Sequence, residues 1–287
     1  VVLRTQSAVY TPAVMDALRR AIRDQVRGLV GSRAGLPPVK PEDSLYPPGS
    51  ACRKVHGDFT SMMIGGVSAL LIQMLHPAAL AGVWDHSNFR GDILGRLKRT
   101  AQFISTTTFG SVESAYEAIE RVKAIHDQVH GTLPDGTSYS ANDPDVLTFV
   151  HVAGASSFLK AYRLYRNPAF DHRAQDLYYR EAAEIAFKLG AERVPRSVYE
   201  VEEYFEAIRP GLRSDNRTRE IRNAILWQRP PSLALAPFQR IVLTAGVDLM
   251  PGWAARLHGL SVPKIGRPAL RAGTKGVGAL VRWALSS

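Results

Sequence analysis

Between Gln73 and His151 the chain collects side chains able to bind or activate a ligand. In order they are Gln73-x-x-His76-Pro77, Asp85-His86-Ser87, Arg96-x-x-x-Thr100, Phe109-Gly110, His126-x-x-x-His130-Gly131 and His151. Imidazole and guanidinium groups are costly among apolar helices unless something pairs with them. His126-x-x-x-His130 has the spacing of two metal ligands on one helix, which would serve a metal-dependent hydrolase. Position 127 is Asp, however, so the His-Glu-x-x-His signature of a zinc peptidase is absent. Glu-x-x-His pairs for a di-iron carboxylate site, a Gly-x-Ser-x-Gly nucleophile elbow and a Gly-rich phosphate loop are missing too. What remains open is a cofactor that wants apolar helices, a neutral imidazole and a cation, and haem b meets that description. A metal centre on His126 and His130 stays open as well, as does non-catalytic binding of haem or lipid.

The elements that must position these groups read as helices. Ser111 is a suitable N-cap and Glu113 lies in the first turn of a helix that carries Ala115, Ile119, Val122, His126 and Val129 on one face. Gly131 marks its expected end, which would put His126 at a core position and His130 one turn on, nearer solvent. Ile93, Leu97, Ala101 and Ile104 form the apolar stripe of a helix over about 92–106, with Arg96 and Thr100 together on the adjoining stripe, Lys98 facing water and Arg99 at the boundary. Asp143-Pro144 opens a helix that buries Leu147, His151, Gly154, Phe158 and Tyr162, so His151 is a second histidine on an apolar stripe. A lone histidine in such a place is more often a hydrogen-bonded core residue than a ligand.

Further helices are expected over about 12–30, 176–189, 198–208, 214–226 and 238–249, with a Pro-rich arm over 31–49 and no period-2 strand of useful length. The 25 positions from Thr60 to Trp84 hold no charge. Gly65-Gly66, Gln73, His76 and Pro77 favour a buried helix there over a membrane span. Pro77 should kink that helix or begin the next.

Composition sets the limits. With 287 residues, 45% of them apolar and 22% charged, the chain can bury a sizeable core. Its one cysteine, Cys52, excludes an intrachain disulfide and a Cys-x-x-Cys-His haem attachment, so any haem is held non-covalently. The formal net charge is +10, and after Trp253 there are six basic residues and no acid. Interleaved with Leu, Val and Trp, they suit an anionic membrane surface, and equally a solvated basic tail packed loosely on the domain. No nucleic-acid-binding signature accompanies them. Arg19-Arg20 is not followed by the uncharged run of a leader, which points to a cytoplasmic protein.

At these same residues the sequence resembles the domain shared by the rubber oxygenases (latex-clearing proteins) and the MpaB-type oxygenases. The likeness is carried by the motifs above, by Arg96-Leu97-x-Arg99-Thr100, by the run from Asp135-Gly136 to Asp143-Pro144, and by Tyr178-Tyr179-x-Glu181, Leu189-Gly190-Ala191 and Val194-Pro195. It implies an all-α, globin-like domain around non-covalent haem b, with His126 as the iron ligand. His76, Arg96, Arg99 and Thr100 would then orient dioxygen or the propionates, while His151 and His130 would lie in the pocket. The rubber-cleaving enzymes carry a lysine where Arg99 stands, so the polymer substrate is not carried over. The expectation is therefore an oxygenase acting on a hydrophobic small molecule. It divides into a basic helix and arm over 1–50, the helical domain over 51–260 and a basic amphipathic tail over 261–287, which makes peripheral membrane contact.

Overall fold

A computed structural model describes residues 12–30, 40, 43–89, 91–230 and 232–286, so most of the expected Pro-rich arm lies outside the described residues. The all-α expectation holds. The helices are α1 (Pro12–Val30), α2 (Ala51–His56), α3 (Phe59–Gln73), α4 (Pro77–His86), α5 (Ile93–Phe109), α6 (Val112–His126), α7 (Pro144–Tyr165), α8 (His172–Leu189), α9 (Val198–Ile208), α10 (Asn216–Leu226), α11 (Ala236–Leu249), α12 (Gly252–His258) and α13 (Arg267–Leu285). The interior is formed by α3 and α7, packed on each other and flanked by α2, α8, α11 and α13.

Local chemistry explains most boundaries. Asp58 caps α3 by accepting from the Ser61 amide at 3.0 Å, and Ser111 caps α6 by accepting from the Ser114 amide at 3.1 Å. Asp143 caps α7 with Pro144 at the first helical position. Pro77 starts α4 at 102° to α3, because the residue before a proline disfavours the helical region and His76 is extended there (φ −87°, ψ 122°). Gly65 has a packing reason: a Cβ there would come within 2.9 Å of the Phe158 Cα, so the glycine lets α3 and α7 cross closely.

One boundary departs from expectation. Helix α6 stops at His126, and His130 lies in a short strand, β1 (His130–Thr132), paired antiparallel with β2 (Ser138–Ser140). The connecting turn uses Gly136 at φ +88°. A Cβ on Gly131 would meet the Tyr139 hydroxyl at 2.9 Å, so that glycine admits the Tyr139 ring instead of terminating a helix.

No helix among the described residues is long and apolar enough to cross a membrane; the uncharged stretch is the bent pair α3 and α4, and α3 is largely buried. Beyond residue 260 the chain forms a 3-10 turn, Lys264–Gly266, and then α13, which packs on α1, α3, α7 and α11. Arg267 and Arg271 each reach the fully buried Asp248 carboxylate, at 2.9 and 2.8 Å, and Arg282 reaches Asp58 at 2.9 Å. Arg23 of α1 donates to the Ala284 and Ser286 carbonyls at the end of α13, where a cation complements the helix dipole.

Candidate functional site

The antiparallel hairpin of α5 and α6 brings Arg96 and His126 together. His126, the last residue of α6, is half-buried. Its Nδ1 is buried without a hydrogen-bond partner, and Nε2 bonds to nothing among the described residues. Burial lowers its pKa, the neighbouring Arg96 lowers it further, and Asp127 opposes them, so the ring is neutral near pH 7. Arg96 is half-buried on α5 and its guanidinium has no ion pair or hydrogen bond among the described residues, while burial and Arg99 disfavour its charge. A cation in that state is free to meet an anionic group from outside the chain.

Other expected residues are already engaged. Thr100 is exposed, and its hydroxyl donates to the Arg96 carbonyl at 3.2 Å, so it does not share the half-buried setting of Arg96 as its spacing suggested. Arg99 is exposed and pairs with Asp92 at 3.3 Å, without turning inward. His76 is the N-cap of α4: Nδ1 accepts from the Ala79 amide at 3.4 Å, and its ring centroid lies 4.9 Å from that of Phe149. Burial lowers its pKa against the pull of Asp143 and Asp145. Nor does it share a helix face with Gln73, which ends α3 and donates to the Val150 carbonyl at 2.9 Å. His130 is exposed, and its carbonyl accepts from His86 Nε2 at 3.1 Å. The hydrolase geometry, two imidazoles one turn apart on a helix, is therefore not formed.

A second histidine group lies at the other end of α5 and includes a residue that the spacing did not single out. His56, at the end of α2, bonds through Nδ1 to the Thr108 hydroxyl at 2.8 Å and through Nε2 to the Tyr178 hydroxyl at 3.1 Å. Its ring stands edge-on to Phe158 and Tyr178. Burial, with a smaller push from His151, brings its pKa down to about 3. His151, on α7, is lowered by burial to about 4 and makes no hydrogen bond among the described residues. Twelve residues separate Arg96 from Thr108, so the two groups stand roughly 18 Å apart along α5.

The model of the family described as ER-bound oxygenase mpaB/B'/rubber oxygenase, catalytic domain, matches residues 53–283. The chain belongs to this family. The match starts within α2 and ends within α13, so this oxygenase catalytic domain includes both histidine groups and the packed C-terminal helix. Comparison with curated proteins and with solved structures gave no match. Groups of three or more histidine, cysteine or acidic side chains suited to a bare metal ion are absent among the described residues. A planar cofactor that asks for a single imidazole needs no such group.

Proposed function

We propose that the chain is a haem b-dependent oxygenase that oxidises a hydrophobic small molecule, with His126 as the protein ligand to iron. One observation carries the reading: a neutral imidazole, His126, adjoins a half-buried guanidinium, Arg96, and among the described residues the ring nitrogens have no hydrogen bond and the guanidinium no carboxylate. Those are the two donors such a cofactor needs, a lone pair for the metal and a cation for its carboxylates. When bound, haem b supplies an iron centre that activates dioxygen.

The chain's own residues would do the rest. His126 would offer Nε2, since Nδ1 is the enclosed nitrogen. Arg96 would neutralise a propionate through a charge-assisted hydrogen bond. His151 would present a second neutral imidazole to the interior. Arg99, Thr100 and His76 would rank behind them, because each would first have to leave a protein partner. The apolar side chains of α3 and α7 would exclude water from a greasy substrate.

Protein produced with sufficient haem should show a Soret band, and His126→Ala should lose most of the haem while His130→Ala keeps it. Without haem, His126→Ala should change stability by only about 0.5 kcal/mol, since the ring makes no hydrogen bond among the described residues. Full haem content with an unchanged spectrum in His126→Ala would sink the assignment. Dioxygen uptake that rises with an added apolar substrate separates an oxygenase from a non-catalytic haem or lipid binder.

A further inference from the structure

The C-terminal helix carries a second, independent site. Arg267 and Arg271 lie one turn apart on α13: Arg271 donates from Nε to Asp248 Oδ2 at 2.8 Å, and Arg267 Nε lies 2.9 Å from Oδ1 as an ion pair without hydrogen-bond alignment. Their terminal Nη groups have no hydrogen bond among the described residues, and both side chains are 40% exposed. One buried carboxylate thus gathers two guanidinium groups one helical turn apart, each partly exposed.

Neighbouring groups add to the same charge. Lys160 of α7 lies within electrostatic reach of Asp248 and Arg271, so three cations share one acid there. Lys275, one turn beyond Arg271, is exposed. The Tyr165 hydroxyl feels both Asp248 and Arg271; its side chain is 4% exposed and the hydroxyl has no partner. The N-terminal end of α13 points its positive pole the same way. Beside the fork, in the turn before α13, Ile265 is 94% exposed between Lys264 and Arg267.

We propose that the Arg267–Arg271 fork binds the phosphate of an anionic phospholipid headgroup while Ile265 enters the acyl boundary, docking the protein reversibly on an anionic leaflet. Two adjacent guanidinium forks match a phosphate better than point charges do. A soluble phosphate would leave Ile265 without a role, and this selects the lipid as its source. Diffuse attraction by the whole basic terminus is a poorer account, because Arg267, Arg271 and Arg282 are each tied to a carboxylate.

The test is co-sedimentation with phosphatidylcholine vesicles containing phosphatidic acid, which presents a terminal phosphate, or phosphatidylserine at matched charge. The wild-type protein should bind the phosphatidic acid vesicles about tenfold more tightly. The double variant Arg267→Lys, Arg271→Lys keeps the charges and the pairing to Asp248 but loses the forks, and should erase that preference. Ile265→Asp, at a position too exposed to disturb folding, should weaken binding to both vesicles. Equal binding to the two vesicle types, or an unchanged preference in the double variant, overturns the fork. Calorimetric binding of inorganic phosphate together with undiminished sedimentation of Ile265→Asp overturns the lipid as the source.

Discussion

The two ends of α5 each hold an imidazole in apolar surroundings and satisfy it in opposite ways. At the C-terminal end, His56 spends both ring nitrogens on Thr108 and Tyr178, tying α2, α5 and α8 together. At the N-terminal end, His126 spends neither, and the cation beside it is unpaired among the described residues. Burial alone therefore does not mark a functional histidine, since both rings are half-buried and only His56 is committed to structure. The difference lies in hydrogen-bond accounting. A bonded imidazole holds helices together, whereas an unbonded neutral one beside a free guanidinium keeps its capacity for a ligand.

The largest effect that would break this contrast belongs to the bonded end. His56→Ala strands the buried Thr108 and Tyr178 hydroxyls, each costing about 1–3 kcal/mol, and also opens a cavity. Chemical denaturation should report a loss of roughly 3 kcal/mol or more, with haem-binding stoichiometry unchanged in the fraction that folds. A loss no larger than that of His126→Ala would remove the distinction between the two ends.

Next in size is a pH effect. The pKa of His56 is held down to about 3 and that of His151 to about 4. In the unfolded chain both take up protons as pH falls through about 6.5, while the folded protein does so only near pH 4 and 3. The unfolded state binds more protons in that window, so stability declines as pH falls from about 6.5 towards 4. Each imidazole contributes up to about 1.4 kcal/mol per pH unit. His151→Phe, which breaks no hydrogen bond, should remove one such share from the slope. An unchanged slope in this variant would show that His151 is not held neutral.

Legibility in the sequence followed the range of the forces involved. Caps at Ser111 and Asp143 and the start of α4 at Pro77 are set by neighbouring residues, and local reading found them. The end of α6 is decided by the packing of Tyr139 against Gly131 across the β1–β2 turn, which no helical period encodes. His56 gave little signal because α2 has only 6 residues, too few for a period. The terminal run of basic residues read as a tail, solvated or on a membrane, because the acid paired with Arg282, Asp58, is 224 positions away. His126 and Arg96 were visible as residue types at helical spacing. That Thr100 and Arg99 are turned to solvent depended on the orientation of α5 against its neighbours.

Arg96→Met sharpens the open end. It keeps the aliphatic stem and removes a charge that no carboxylate among the described residues neutralises, so stability without haem should shift by no more than about 0.5 kcal/mol. Haem retention during gel filtration should fall, because the proposed propionate partner is gone. A marked loss of stability in the haem-free variant would mean that Arg96 is committed to the fold after all, like His56.

Thr100→Val should have the smallest effect of the series. The hydroxyl is exposed and donates to the Arg96 carbonyl one turn back, a bond the helix can do without. Losing it should change stability by less than about 0.5 kcal/mol, and the β-branched replacement keeps the shape. Haem content and substrate-dependent oxygen uptake should therefore match the wild-type protein, although the threonine sits in the motif that drew attention to this helix. A drop in either one with unchanged stability would require α5 to turn on binding haem, bringing Thr100 inward beside Arg96, and the open end would then be a surface that forms only around its ligand.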